Sequence, residues 1–517
     1  MTAPYYITTP IYYVNDKPHI GHAYTTIACD VLARFKRLDG YEVKFLSGTD
    51  EHGQKVAKAA ADNDLDPIEL CDKNSNNFRE LLATLNISND DFIRTTEQRH
   101  KSACQALWRK LSDKGHIYMG KYSGWYAVRD EAYYDEAELT QSPSGDHLAP
   151  TGAVVEWMEE ETYFFDLSKW QDKLLAFYDS NPDFIGPQSR FNEVYSFVKG
   201  GLKDISISRA TFSWGIPVPG ETKHVMYVWI DALTNYLTAL GYPTLKDDYA
   251  KFWPVCHHMV GKDIIRFHCV YWPAFLMAAN LMPPKKVYAH GWWTVEGQKM
   301  SKSLGNAIDP NHMVAEYGLD QMRFFLMREV PFGNDGDFSE AAISRRINGE
   351  LANELGNLAQ RVLSFIAKNL DGVLPEARDL TTEDKDLLNS CHSLVVLCRE
   401  SMDRQAFHEV IESIWSVVRM ANVYVDMQAP WVLKKTNIRR METVLYILVE
   451  ATRHIAILMQ PFTPQAMSIL LDQLSVPDDD RMFTSLGEGS ALKSGIKLPV
   501  PHGVFPRYIA KSEERTR

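Results

Sequence analysis

Residues 4–22 read Pro4-Tyr5-Tyr6-Ile7-Thr8-Thr9-Pro10-Ile11-Tyr12-Tyr13-Val14-Asn15-Asp16-Lys17-Pro18-His19-Ile20-Gly21-His22, and this stretch decides the fold. Residues 4–9 are short, apolar and β-prone; Pro10 closes them and a loop follows to Pro18. Ile27, Val31, Leu32, Phe35 and Leu38 then recur at helical spacing, which predicts a helix over 23–39 stopped by Gly40. Residues 43–49 read as a second buried strand, ended by Gly48-Thr49-Asp50. Strand, loop, helix, strand opens a doubly wound α/β sheet, and the loop after its first strand is where such sheets hold nucleotides. Pro18-His19-Ile20-Gly21-His22 occupies that loop. Helix N–H groups and the positive dipole end face a phosphate there, Gly21 admits close backbone approach, and two imidazoles can donate to phosphate oxygens. Taken alone, HxGH is a weak signal, and two structural histidines are its other reading.

The same style returns further on. Residues 225–230 read as a strand feeding a helix over 231–240. Residues 255–260 read as a strand ended by Gly261, with Asp263 capping a helix to about 280, and 287–295 as a further strand. A parallel sheet is therefore expected in two halves, 1–115 and 225–308. Between them 116–224 is rich in Tyr, Trp, Gly and Pro and reads as an inserted α+β module. Asp309-Pro310 starts a linking helical segment over 309–350. From 351 to 517 the period is helical, through Leu351, Leu355, Leu358, Val362 and on to Val444, Leu445, Ile447 and Leu448, which predicts an α-helical bundle. The expected class is α/β: a split Rossmann-type parallel sheet, an inserted module and a C-terminal helical bundle.

Lys299-Met300-Ser301-Lys302-Ser303 follows the last strand, with Gly297 and Gly305 on either side. Two lysines three apart beside serine hydroxyls suit a pyrophosphate leaving group, whose charge grows during displacement. An isolated KxxK is a solvated basic turn; a KxxK placed in order after HIGH across a split sheet is not.

Composition narrows the class. The chain has 517 residues, 45% of them apolar, and a net charge of −12, which excludes a protein that coats phosphates through overall basicity. Seven cysteines, an odd number with no CxxC, fit a reducing cytosol and argue against a disulfide framework. No leader segment is visible at the start. The most apolar stretch, 444–459, carries Glu450, Arg453 and His454, so it reads as a packed helix and no membrane association is expected.

The two motifs together resemble the class I aminoacyl-tRNA synthetases, and the chain is most similar to their methionyl branch over nearly its whole length. Supporting strings are Gly48-Thr49-Asp50-Glu51-His52-Gly53, Tyr227-Val228-Trp229-Ile230-Asp231-Ala232, Gly261-Lys262-Asp263-Ile264 and Phe332-Gly333-Asn334-Asp335-Gly336-Asp337. The resemblance implies ligation of methionine to its tRNAs, initiator and elongator, with the CAU anticodon, through methionyl-adenylate. ATP with Mg²⁺ would be the co-substrate complex. His19, His22, Lys299 and Lys302 would stabilise charge, with Gly21, Ser301 and Ser303 completing the ATP site. Methionine would lie among Ile11, Tyr13, Trp229, Ala232, Leu233, Tyr236, Ile264, Phe267, His268 and Trp272, with Asp50 on its ammonium. An aromatic hollow favours a polarizable thioether. Leu233 departs from a proline common in relatives. Arg209 and Asp263 match positions near the adenylate, Asp263 being equally a helix cap.

In the bundle, Asn353, Asn357 and Arg361 fall at i, i+4 and i+8 and share one face. With Pro430 and Trp431 they match the family's anticodon-reading pattern. Relatives often hold zinc in the inserted module through CxxC pairs. Here Tyr126-Ala127-Val128-Arg129-Asp130 and Ala149-Pro150-Thr151-Gly152 lack cysteine, so a zinc-free knuckle is expected, with Asp130, Glu131, Asp135 and Glu136 as solvated surface. Some relatives dimerise through an appended C-terminal barrel. The sequence leaves no room for one after Arg507, so a cytoplasmic monomer is expected.

Three other readings compete. Ligases for leucine, isoleucine or valine carry a large editing insertion, and the module here is small for that. A nucleotidyltransferase using HxGH needs neither KMSKS nor a helical bundle. A non-catalytic tRNA-binding module needs neither motif.

Overall fold

The computed structural model describes residues 2–15, 17–130, 132–299 and 308–509. Contacts gather the chain into two compact units, Pro4–Cys29 with Val43–His290, and Met1–Ala3 with Asp30–Glu42 and Gly291–Arg517.

The first unit is built on a parallel sheet, seven-stranded among the described residues. In chain order its strands are β1 (Pro4–Thr8), β2 (Tyr12–Tyr13), β3 (Glu42–Asp50), β4 (Asp91–Arg94), β5 (Ile185–Gly186), β6 (Cys256–Gly261) and β7 (Lys286–His290). Their lateral order is β5-β7-β6-β1-β3-β2, with β4 also on β3. β1 pairs with β6 in parallel, Tyr6 against Cys256 and Thr8 against His258. The chain winds one way from β1 and the other way from β6, so the carboxyl ends of these two strands flank the switch point, where this architecture leaves a binding crevice. Tyr6, Ile7, Leu46, Val260, Val287 and Ala289 are fully buried, which explains why the strands read as apolar runs. Helix α1 (Ile20–Leu38) leaves the loop after β2, α2 (Gln98–Asp113) follows β4, and α3 (Val228–Thr238) and α4 (Trp272–Ala278) flank β6 in the chain.

Two sequence expectations are corrected here. Residues 225–230 are not a strand of the parallel sheet. Val225–Met226 pairs antiparallel with Ser208–Arg209, and α3 begins at Val228, capped by Tyr227. Every residue of α3 is buried, and an apolar run buried on all sides looks the same as a core strand in sequence. The stretch after β6 is likewise not one helix: a 3₁₀ turn at Lys262–Ile264 leads to a π-helical turn at Phe267–Tyr271 and then to α4.

The inserted module is an antiparallel sheet of Ile117–Ala127, Ala132–Tyr134, Glu156–Phe165 and Ile205–Ser206. At its knuckle Ala127, Ala149, Ala153 and Val155 form a small buried cluster. Asp130 is more than solvated surface. It accepts from Thr151 Oγ1, from Tyr134 OH at 3.1 Å and from Arg129 Nε at 3.1 Å, joining the two limbs. Asp135 caps the turn Glu136–Glu138 and pairs with Lys203 at 2.7 Å, while Glu131 lies outside the described residues.

The second unit carries the helices. Asp309 caps Pro310–Tyr317 as expected, accepting from Asn311 N at 2.8 Å. Leu319–Arg328 and a π-helical segment, Arg346–Gly356, lead into α5 (Asn357–Asn369), α6 (Thr382–Asp403), α7 (Phe407–Gln428), α8 (Pro430–Thr436) and α9 (Ile438–Met459). Trp293–Val295 pairs with Gln298–Lys299 and Gly336–Phe338 in this unit rather than continuing β7. No helix among the described residues is long and apolar enough to cross a membrane.

Candidate active site

The loop after β2 turns into α1 at Ile20 and brings His19 and His22 together, ring centroids 3.9 Å apart. The His19 backbone N–H donates to His22 Nδ1 (3.0 Å), and the Gly21 N–H donates to His19 Nδ1 (3.1 Å). Each ring therefore accepts at Nδ1 and carries its proton on Nε2. Burial lowers both pKa values. That of His22 falls furthest, with His19 and Lys55 adding to the effect, while Asp263 opposes the fall at His19. Two neutral imidazoles, each with one N–H donor, stand at a helix N-terminus and need no counter-charge before an anion arrives. A Cβ on Gly21 would come within 2.9 Å of His19 Cε1, so glycine is required for this ring position.

The residues expected around the amino acid do come together. Trp229, Ala232, Leu233, Tyr236 and Trp272 belong to one buried cluster, and Ile11, Tyr13, Ile264 and Phe267 pack against it. Trp229 stacks on Phe267 at 3.7 Å and 8°. Tyr236 OH lies 2.7 Å from His268 Nε2, and His268 Nδ1 lies 3.1 Å from the Ile264 carbonyl. A carbonyl only accepts, so His268 is protonated at Nδ1 and takes the tyrosine proton at Nε2. Burial holds the His268 pKa down at about 4, so this ring is uncharged near neutrality. Asp50 ends β3 and is 2% exposed. Lys55 lies 4.9 Å over the Tyr13 ring.

The two adenylate candidates differ. Asp263 lies inside the turn Lys262–Ile264, whose N-cap is Gly261, so the capping alternative does not hold. It lines a cavity of about 280 Å³ shared with Tyr227, Phe267 and Tyr271. Arg209 is 1% exposed and enclosed by Tyr126, Tyr133 and Tyr227, the nearest ring centroid 4.4 Å away. Its NH1 donates to Ser206 Oγ (2.8 Å) and the Ser208 carbonyl (2.6 Å). It is a buried cation rather than one facing solvent. A larger hollow, about 600 Å³ among residues 210–225, is lined by none of the expected site residues.

Met300, Ser301, Lys302 and Ser303 lie outside the described residues, and Lys299 is described only as the end of the short strand Gln298–Lys299. In the helical unit Asn353 and Asn357 are exposed while Leu351, Leu355, Leu358 and Val362 are buried, as the spacing requires. Asn353 sits in the π-helical segment and Asn357 opens α5, so they share a face across a change of helix type, a feature common at functional positions. Arg361 pairs with Asp426 at 2.7 Å and lies 5.6 Å over the ring of Trp431, which is 44% exposed. Pro430 is the buried first residue of α8. Arg507 donates to Asn353 Oδ1 at 2.6 Å.

Sequence reading missed a set of buried polar groups: His52, His100 and Asp231, and His258, whose ring lies 4.0 Å from that of Tyr236 at a 33° tilt. The available signal was a carboxylate inside an apolar run, Val228-Trp229-Ile230-Asp231-Ala232-Leu233.

Two family models match the chain, "tRNA synthetases class I (M)" over residues 5–363 and "Anticodon binding domain of methionyl tRNA ligase" over 374–516. A methionine–tRNA ligase of Rickettsia bellii is 56% identical over 515 residues, covering 98% of this chain and all of the relative. One of Rhizobium meliloti is 56% identical over 510 residues, covering 98% and 99%. The Mycobacterium tuberculosis methionyl-tRNA synthetase in complex with methionyl-adenylate superposes with a TM-score of 0.96 at 50% identity, covering 98% of this chain and 100% of the other.

Proposed function

From the premise that this chain belongs to the class I methionyl-tRNA synthetases, we propose how its residues divide the work of a methionine–tRNA ligase. The observation that carries the reading is the pair of Nε2–H donors at the α1 N-terminus, in the same unit as an aromatic cluster of Trp229, Tyr236, Phe267, His268 and Trp272.

Methionine binds with its thioether among Trp229, Tyr236, Phe267, His268 and Trp272 and its ammonium on Asp50. Its carboxylate attacks the α-phosphorus of the ATP–Mg²⁺ complex in line. His19 and His22 donate from Nε2 to phosphate oxygens, Gly21 admits the backbone, and Lys299, Ser301, Lys302 and Ser303 meet the departing pyrophosphate. No protein nucleophile forms a bond; catalysis is positioning and charge stabilisation. The terminal ribose hydroxyl of the tRNA then takes the methionyl group and AMP departs. Asp263 stands by the adenylate mouth through its charge on His19. Arg209 acts at one remove, holding Tyr227, the cap of the helix that carries Trp229.

Asn353, Asn357, Arg361, Pro430 and Trp431 form the CAU-reading face for initiator and elongator methionine tRNAs. The knuckle donors fit no tetrahedral thiolate site, and its hydrogen bonds and alanine cluster take that structural role. We assign the protein to the cytoplasm as a monomer. Pyrophosphate exchange measured with each of the twenty amino acids tests the assignment. Exchange with methionine alone is expected, and equal exchange with leucine or isoleucine would overturn it.

A further inference from the structure

Behind the hollow a carboxylate is held between two imidazoles, and the mechanism above does not use it. Asp231 lies on α3 between Trp229 and Ala232, fully buried. Its Oδ2 is 2.7 Å from His52 Nδ1 and its Oδ1 is 2.7 Å from His100 Nε2. A carboxylate only accepts, so each imidazole donates. His100 reaches Thr238 Oγ1 at 3.1 Å with its other nitrogen, and Cys104 Sγ lies 3.2 Å from His100 Nε2. Burial alone would raise the carboxyl pKa; His52 and His100 outweigh it and hold it below the usual carboxylate range.

His100, Cys104 and Asp231 are also a donor set of the kind that binds a transition metal. The distances favour hydrogen bonds, since the carboxylate–imidazole pairs are already in direct contact. Burial pushes the Cys104 thiol up, which keeps its proton where a metal would need thiolate.

The bridge joins two parts of the amino-acid site. His52 stands two residues after Asp50, and Asp231 stands on the helix that presents Trp229, Ala232, Leu233 and Tyr236. The intervening Glu51 is fixed separately, by Arg94 Nε at 2.7 Å and Thr49 Oγ1 at 2.8 Å. Its carbonyl accepts from Trp214 Nε1 at 2.6 Å. Gly53 closes the loop at φ 106°, a conformation that favours glycine. The loop is thus held at several points, and His52 ties it to α3 through Asp231. We propose that the His52–Asp231–His100 bridge is a positioning device that sets the distance from the ammonium-binding carboxylate to the thioether wall, and so measures the length of the amino acid. The inference rests on the role of Asp50 given above.

The test uses the full-length protein and pyrophosphate exchange with methionine and with ethionine, which is longer by one methylene. In Asp231→Asn and His52→Gln, the methionine KM is expected to rise about tenfold with kcat changed less than about threefold, and the preference for methionine over ethionine to fall about tenfold. The KM for ATP is expected to stay at the parent value. Leu111→Ala, a core cavity on the helix that carries His100, is the control: lower thermal stability with unchanged preference. An unchanged preference in both bridge variants, with methionine KM still lost in Asp50→Ala, would overturn the bridge and leave the site reading intact. An unchanged methionine KM in Asp50→Ala would overturn the site reading itself. Metal analysis is a further arm: one tightly held transition metal per chain, lost in Cys104→Ser, would replace the bridge with a metal site.

Discussion

His268 shows how much chemistry one buried ring can fix. Its Nδ1–H is committed to a carbonyl and its Nε2 to Tyr236, so protonation would break the second bond inside an apolar wall. Its folded pKa, about 4, lies below the ordinary 6.5, so in that window the unfolded state binds more protons than the folded one. Its contribution to stability is complete above pH 6.5 and declines by about 1.4 kcal/mol per unit as pH falls towards 4. The stability deficit of His268→Gln relative to the parent should therefore be largest near neutrality and shrink by about pH 4.5, read by urea unfolding at a series of pH values. A deficit constant over that range would show that the ring is not held neutral by burial. At this scale the sequence was informative for residues in strings, HIGH above all. It was silent on His100, whose carboxylate partner Asp231 lies 131 residues away.

At the scale of elements, legibility followed the physical distinctness of the pattern. Strands β1 and β3 and helix α1 were readable because short apolar runs and a 3.6-residue period differ. The first turn of α3, residues 228–230, was not, because burial on every side erases the period, and the π-helical turns were not, because nothing in residue identity separates them from α-helix. The face proposed to read the anticodon was readable in part: Asn353 and Asn357 are exposed as the spacing predicts, and the change of helix type between them was hidden. That face now supports a sharper expectation. Arg361 lies over the Trp431 ring and pairs with Asp426, and Arg440 of α9 grips Asp384 of α6 and Gln428 of α7, so the ring is presented on a braced surface. A stacked base is worth about 1–3 kcal/mol. Trp431→Ala should lower the rate of tRNA charging about tenfold to a hundredfold while methionine-dependent pyrophosphate exchange stays near the parent value. Equal loss in both assays would mean that the ring supports the fold rather than the anticodon.

At the scale of the whole molecule the partition of contacts is the least legible feature, because a one-dimensional pattern carries no distances. Residues 30–42, read as the tail of a sheet helix and its turn, belong by contact with the helices after residue 291. The reason is a set of charged and aromatic ties that no local pattern announces. Lys36 meets Asp403 at 2.8 Å, Asp39 receives Arg399 Nε at 2.9 Å, Phe35 packs on Phe483, and Asp30 meets Arg323 at 2.6 Å. The last pair decides most, since both side chains are fully buried. Arg323 also donates to the Pro461 carbonyl at 2.8 Å, and burial pulls its pKa down. Arg34 Nε shares the Asp30 Oδ2 oxygen at 2.7 Å, so removing Arg323 leaves the buried carboxylate with one partly exposed cation, at a cost of about 1–3 kcal/mol. Arg323→Met should therefore lower unfolding stability by about that amount, whereas Arg323→Met with Asp30→Asn should recover part of it, because Arg34 no longer has to balance a buried carboxylate alone. Guanidinium unfolding of the single and double variants measures both quantities. Additive losses in the double variant would mean that the two residues stabilise this unit independently, and that the grouping of 30–42 with the helices rests on its apolar contacts instead.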